Sequence, residues 1–293
     1  MKKRFSFQML VSACIFSGAL FFTACNAAPK KDIGLQLYSL RDLIGKDVPG
    51  ILDSVGKVGY TFVEAASYGD GKFYGMDPVA FKTLCEKNGL KFISSHCGHD
   101  CPEDLSDAAT WAWWKQCIDA HAAAGVKFLV QPSMGGKAYE SEAGLLQYCK
   151  YFNKIGEMCN AKGIRFGYHN HSGEFKEFNG TKMYDIMLKN TDPKKVMFEI
   201  DLYWAVEGGV NPVDYFKQYP GRFMLWHVKD VKEIGASGKM DFKTIFENAK
   251  GTGMNYIIVE QEAYSMPEVQ SVKASYDYLM KSDFVKSDYS KNK

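Results

Sequence analysis

Eight short β-branched or aromatic runs recur along this chain, each followed by a polar loop and an amphipathic segment ending near glycine. The runs are Ile33–Tyr38, Tyr60–Ala65, Lys91–Ser95, Lys127–Gln131, Ile164–His169, Val196–Asp201, Phe223–His227 and Tyr256–Glu260. Helical periodicity covers Val48–Val58, Pro78–Asn88, Ala108–Ala124, Leu145–Lys162, Lys182–Lys189, Pro212–Gln218 and Phe242–Ala249 between them, and Pro267–Met280 closes the series. Run follows run at roughly 27 to 37 residues, the length of one βα unit. Eight such units predict a single (β/α)8 TIM barrel. A doubly wound open sheet competes with it, but no Gly-x-Gly-x-x-Gly turn follows any run and the eight-fold count favours closure.

Helix boundaries are explicit. Asp77-Pro78, Asn211-Pro212 and Met266-Pro267 place proline at a first helical turn, and Gly89, Gly125 and Gly163 stand just past a helix end, before the next strand. No Pro- or Ser-rich linker divides the chain, so one domain is expected over residues 31–286, followed by a polar tail at 287–293.

The start of the chain has a different character. Lys2-Lys3-Arg4 precedes an apolar stretch, Met9 to Phe22, and Thr23-Ala24-Cys25 supplies small residues before a cysteine. This reads as a cleaved export signal. The Phe22-Thr23-Ala24-Cys25 ending resembles a bacterial lipoprotein signal, with Phe22 where leucine is preferred. That resemblance implies lipidation at Cys25, a signal over 1–24, a tether over 25–30, and an exported, membrane-anchored protein on the periplasmic side. Nothing downstream approaches the roughly 18 consecutive apolar residues of a membrane helix. Loss of Lys2, Lys3 and Arg4, with no acid among residues 1–24, takes the formal charge from +2 to −1. A near-neutral chain has no electrostatic pull toward nucleic acid.

Two of the eight cysteines, Cys14 and Cys25, fall in the signal, and the other six are scattered through a chain large enough not to need disulfides. Cys97 and Cys101 are the nearest pair in sequence. The stretch His96-Cys97-Gly98-His99-Asp100-Cys101 matches no standard zinc-finger spacing.

In a barrel of this kind the chemistry lies at the C-terminal ends of the strands. The fifth run ends in His169-Asn170-His171, the sixth in Asp201, the seventh in His227 and the eighth in Glu260. Two imidazoles and two carboxylates at one depth suit a divalent metal (Mn, Co, Zn, Fe or Mg) and are too nitrogen-rich for Ca. Gln36, Tyr38, Glu64, His96 and Gln131 bring polar groups to the same rim, with Trp204 as an apolar face for a sugar ring. Trp226, beside His227, is expected to point outward beneath a helix.

The set Gly34-Leu35-Gln36-Leu37-Tyr38-Ser39-Leu40-Arg41, Ser95-His96, Tyr168-His169-Asn170-His171 with Glu174-Phe175, Asp201-Leu202-Tyr203-Trp204-Ala205, His227-Val228-Lys229-Asp230 and Glu260 resembles the xylose isomerase-like TIM barrels. It is most similar to their sugar phosphate isomerase/epimerase branch. The resemblance implies His169, Asp201, His227 and Glu260 as metal ligands. It also implies proton abstraction beside a carbonyl of a keto-sugar or glycoside, through an enediolate. Two departures stand out: ketose 3-epimerases carry glutamate where this chain has His169, and histidine where it has Trp204. Glu260 then remains the candidate base, with His171, Lys229 or Glu174 as partner. Isomerisation or epimerisation, β-elimination of 3-keto-glycosides, and an inosose-type dehydration are the outcomes in view. A lipid-anchored sugar-binding barrel without turnover is the non-catalytic alternative, and self-association into a homo-oligomer is compatible with either. A nuclease of the same superfamily would need more ligands and a basic groove than this chain offers.

Overall fold

The structure is a computed structural model that describes residues 30–287 and 289; the signal, Cys25 and most of the tether expected before them lie outside the described residues. Its centre is a closed barrel of eight parallel strands: β1 Ile33–Gln36, β2 Phe62–Ala65, β3 Lys91–His96, β4 Phe128–Gln131, β5 Arg165–His169, β6 Val196–Asp201, β7 Phe223–Val228 and β8 Tyr256–Val259. Each strand pairs with its neighbours in sequence, and β1 closes the ring by pairing Ile33 with Ile257 and Leu35 with Val259. The principal outer helices are α1 Val48–Val58, α2 Pro78–Lys87, α3 Ala108–Ala123, α4 Glu142–Asn160, α5 Met183–Asn190, α6 Pro212–Gln218, α7 Phe242–Glu247 and α8 Glu268–Lys281. This is the single (β/α)8 barrel that the eight-fold pattern predicts. Among the described residues no helix is long and apolar enough to cross a membrane.

Local chemistry sets the boundaries. Asp47, Asp107, Ser141, Asn211 and Asp241 each accept a backbone N–H with their side chains at a helix start. Gly89, Gly125 and Gly163 adopt φ of +74°, +71° and +74° where a helix must turn sharply into the next strand. The first strand is shorter than expected. Gln36 Oε1 accepts the Tyr38 N–H at 3.0 Å, which winds Leu37–Leu40 into a 3₁₀ turn and carries Tyr38 out to the rim. Two hairpins, Tyr68–Gly69 with Lys72–Phe73 and Glu177–Phe178 with Thr181–Lys182, decorate loops that the apolar pattern left without structure.

Two apolar regions hold the barrel. The larger lies between the strands and the helices, where Trp226 stacks on Phe216 of α6 at 4.6 Å, pointing outward as its position beside His227 suggests. The smaller, formed by Phe62, Ile93, Phe128, Val130, Met197, Leu225 and Ile258, plugs the barrel interior. Gly34 and Gly167 make room for it: a Cβ at Gly34 would meet the Phe62 ring at 2.0 Å, and one at Gly167 would meet Met197 Cε at 2.4 Å. Strands alternate sides at every residue, so residues two further along than these plug residues, Glu64, Glu199 and His227, rise above it into the same interior.

Candidate metal centre and cleft

Strand register brings the polar ends together. Glu199 pairs with His169 across β6 and β5, Asp201 with His227 across β6 and β7, and Gln36 with Glu64 across β1 and β2. His169, Asp201, His227 and Glu260, all buried, each offer a ligand atom within 4.8 Å of the others. His169 Nδ1, His227 Nδ1 and Asp201 Oδ2 are buried without a hydrogen-bond partner. Unpaired buried acceptors are costly, and a divalent cation held by nitrogen and carboxylate oxygen would satisfy all three. The donor set therefore fits a metal.

A second tier of charge lies beneath this one. His227 Nε2 is 2.7 Å from Glu64 Oε1 and 3.3 Å from Glu199 Oε2, while its Nδ1 is 3.3 Å from Glu260 Oε2. Glu64 also accepts from Gln36 Nε2 at 2.7 Å and from Ser94 Oγ. A carboxylate so surrounded by donors takes the Nε2 hydrogen of His227 and leaves its Nδ1 lone pair for a metal. His96 Nε2 lies 2.6 Å from Glu199 Oε2 and 3.2 Å from Glu64 Oε1, while Glu199 Oε1 is buried without a hydrogen-bond partner among the described residues.

The titration behaviour follows from this crowding. Burial pushes the Asp201 carboxyl up to about 8, with Glu260 adding to the shift against the opposing charges of Lys229 and His227. Burial likewise lifts Glu199 to about 7, helped by Glu64. His169 is held well below the usual imidazole range by burial and by the neighbouring His227 and His96. Burial alone would lower His227, but Glu199, Glu260 and Glu64 outweigh it and hold that ring well above its ordinary value. Burial opposes the charge on Lys229 too, yet Glu260, Asp201 and Glu262 keep it an ammonium. Its Nζ stands 2.8 Å from Glu262 Oε1 and 3.5 Å from Glu260 Oε2, and 5.2 Å from the centre of the Trp204 ring.

A cleft of about 510 Å³ opens over this site, with His96, His169, His171, Glu260 and Glu262 on its walls and Tyr38 and Tyr68 at its side. Tyr38 and His96 thus border the cleft, as a substrate-facing role requires. Gln36 and Glu64 do not: both are fully buried, bonded to each other, and spent on orienting His227 and Tyr38 N–H. Gln131 is also turned away, donating to His99 O and Ser133 O, where it shapes the loops rather than the cleft. Trp204 sits beside His171, ring centres 5.8 Å apart, behind the cleft wall. Glu174 is a poor acid/base partner, because it is buried and already accepts from Tyr168 Oη, Tyr139 Oη and His171 N–H at 2.5, 2.7 and 2.9 Å. It positions His171 instead.

Glu199 and Glu262 are the residues sequence reasoning passed over. In Phe198-Glu199-Ile200-Asp201 the period of two puts Glu199 on the same face as Asp201, and that signal was available. The cysteines nearest in sequence are not the nearest in space. Cys97 Sγ lies 3.3 Å from Cys117 Sγ on α3, Cys101 lies by Pro102 O, and all six described cysteines are free. The loop from Lys229 to Lys239 offers no ready anion nest, since Asp230 accepts from Val231 N, Gly235 N and Ser237 Oγ and consumes the donors that would line one.

Residues 52–282 match the profile of the xylose isomerase-like TIM barrel. The chain belongs to that family. Among xylose isomerase-like barrels, the crystal structure of a sugar phosphate isomerase/epimerase from Parabacteroides distasonis ATCC 8503 is 36% identical, with a TM-score of 0.82 over 90% of this chain and 98% of that one. An inosose dehydratase from Geobacillus kaustophilus is 22% identical over 234 residues, covering 69% of this chain and 72% of its own. The E. coli 3-keto-D-glucoside 4-epimerase shares the fold, with a TM-score of 0.63 and 14% identity over 85% of this chain and 98% of that one. Family members so named are sugar isomerases, epimerases and dehydratases, and an enzyme of that kind is the reading this membership supports.

Proposed function

We propose that this protein is a divalent-metal-dependent enzyme that removes the proton beside the carbonyl of a keto-sugar, through an enediolate. The observation that carries the proposal is the convergence of His169, Asp201, His227 and Glu260, three of whose buried polar atoms lack a hydrogen-bond partner among the described residues, at the floor of an open cleft. A cation held there supplies the charge stabilisation that an enediolate needs. Glu260 is kept ionised: burial would raise it, but the adjacent His227 and the Lys229 ammonium hold it well below the usual carboxylate range, and a cation bound to His227 would act on it in the same sense. It can accept the proton, while Lys229, buried behind the cleft wall and paired with Glu260 and Glu262, holds those carboxylates in position. His171, on the cleft wall and fixed by Glu174, is placed to return a proton or to protonate a leaving group.

Reprotonation of the enediolate gives isomerisation or epimerisation, and loss of a β-substituent gives elimination. Elimination is the second reading, favoured by a specific observation. Epimerisation needs an acid/base group on each face of the carbon, and the position facing Glu260 holds His169, an orphaned imidazole better suited to a metal. Similarity to an inosose dehydratase supports the same reading. Among the described residues the cleft lining includes Glu260 and Glu262 and no lysine or arginine, which favours a neutral sugar or glycoside over a phosphate. The export and lipid anchoring proposed from the Cys25 motif agree with that preference.

The test is the metal-reconstituted protein incubated with 3-keto-glucosides, ketohexoses and inososes in deuterated water. Deuterium entering beside the carbonyl with the skeleton intact supports isomerase or epimerase, and release of the aglycone or of water supports elimination. No exchange and no product from any ketone, with metal and sugar still bound, would leave a sugar-binding barrel and end the enzyme reading.

A further inference from the structure

A second cavity, of about 220 Å³, adjoins the cleft and shares Tyr38, Ala66 and Ser67 with it as a common border. Its remaining walls include Arg41, Gly45 and Tyr74. Nothing in the proposed chemistry uses it, and its lining sets apolar Leu37 and Ile44 beside Ser67, Arg41 and two tyrosines. Tyr38 is 43% exposed at this border. The Arg41 guanidinium lies 4.7 Å from the Tyr38 ring centre and is fixed by hydrogen bonds to Tyr38 O, Tyr264 Oη and Glu262 O at 3.2, 3.1 and 3.1 Å. The aromatic surface is thereby held rigid at no further entropic cost to a ligand. Tyr74 Oη accepts the Ala66 N–H at 2.9 Å, which leaves its own hydrogen to donate. The Tyr74 backbone holds φ of +51°, a left-handed conformation that a bulky residue adopts only when its surroundings impose it. Its ring stacks on Phe81 at 5.4 Å.

We infer that the substrate has two rings: a keto-sugar over the metal ligands, and an aglycone sugar ring seated between Tyr38, Arg41 and Tyr74. Rings of this kind present apolar C–H faces to aromatic platforms and hydroxyls to a donor such as Tyr74 Oη. A phosphate is the other ligand an arginine could call for. Three of the five Arg41 N–H donors already go to two carbonyls and a phenol, and the guanidinium stands 4.7 Å over the Tyr38 ring, so the cavity suits a stacked ring. The inference rests on the proposed keto-sugar chemistry and names the class of substrate within it.

Gly45 provides the steric test. It lines the cavity with φ of −63°, and a Cβ there meets nothing within 4 Å among the described residues, so Gly45→Trp adds bulk at the cavity wall without backbone strain. Calorimetry on the manganese-loaded protein compares 3-keto-glucose with the 3-keto derivative of cellobiose oxidised on its non-reducing ring. Wild type should bind the two-ring compound at least tenfold more tightly. Gly45→Trp should bring it down to the one-ring affinity while leaving 3-keto-glucose unchanged, and Tyr74→Phe should fall between. Equal affinities in wild type, or a preference that survives Gly45→Trp, would overturn the inference, as would inorganic phosphate competing with the two-ring compound. Deuterium exchange run on the same samples keeps the two claims apart. A tenfold preference without exchange would sink the reaction and spare the subsite, and exchange without a preference would do the reverse.

Discussion

Glu64 Oε1 stands 2.7 Å from His227 Nε2, at the point where the apolar plug of the barrel gives way to charge. This contact decides which nitrogen of His227 is offered to a metal. Glu64→Gln keeps the shape but replaces a carboxylate by an amide, so the ring loses the partner that fixes its tautomer. Metal affinity should fall about 10- to 100-fold, read by equilibrium dialysis with elemental analysis. An unchanged affinity would remove Glu64 from any part in the site.

Replacing the ligands themselves should be harsher. His169→Ala and His227→Ala should each lose most of the bound metal under conditions where wild type is saturated, with the circular dichroism of the barrel intact. Full stoichiometry in either variant would refute the ligand assignment.

Lys229→Met removes an ammonium that faces Glu260 and Glu262 and leaves the four ligands in place. Metal stoichiometry should hold, while turnover falls by as much as roughly 10²- to 10⁴-fold, the scale of a general base that has lost the charge holding it ionised. Unchanged turnover would show that Lys229 does not act through Glu260.

Acid sensitivity should trace in part to Glu233, which accepts from Ser265 N–H and Ser265 Oγ at 2.9 and 2.8 Å and from Ser271 Oγ. Burial would raise this carboxyl, but the hydrogen bonds from Ser271 and Ser265 bring it down to about 2. A depressed folded value means that the stabilisation is present above the unfolded value of about 4.3 and is lost as pH falls toward 2. Denaturant titrations should therefore show Glu233→Gln less stable than wild type at pH 6, with the gap closing by pH 2; a gap independent of pH would exclude the carboxylate as its source.

The fold was legible because proline, glycine and the two hydrophobic periods all agree along the chain, down to Gly163 ending one helix and turning into β5. The four proposed ligands were legible because a barrel sends its strand ends to one place. Depth was not. Gln36, Glu64 and Gln131 occupy the same strand ends as His96, yet their side chains are consumed by neighbours that only the assembled register brings near. Tyr38 moved outward because one side-chain oxygen, on Gln36, captured a backbone N–H. Cys97 met Cys117 rather than Cys101, since proximity in a barrel runs from strand to covering helix and not along a loop.

The plug beneath the site has a consequence for anyone altering this protein. Gly167, two residues before His169, owes its missing side chain to Met197, which itself lies two residues before Glu199. The height at which the reactive groups stand is thus set by a packing problem solved on the far side from the substrate. Random mutagenesis scored by lost turnover will return Met197 and Leu225 alongside true chemical groups, and selection for new specificity can draw on the same positions, since reshaping the stopper tilts the whole rack above it.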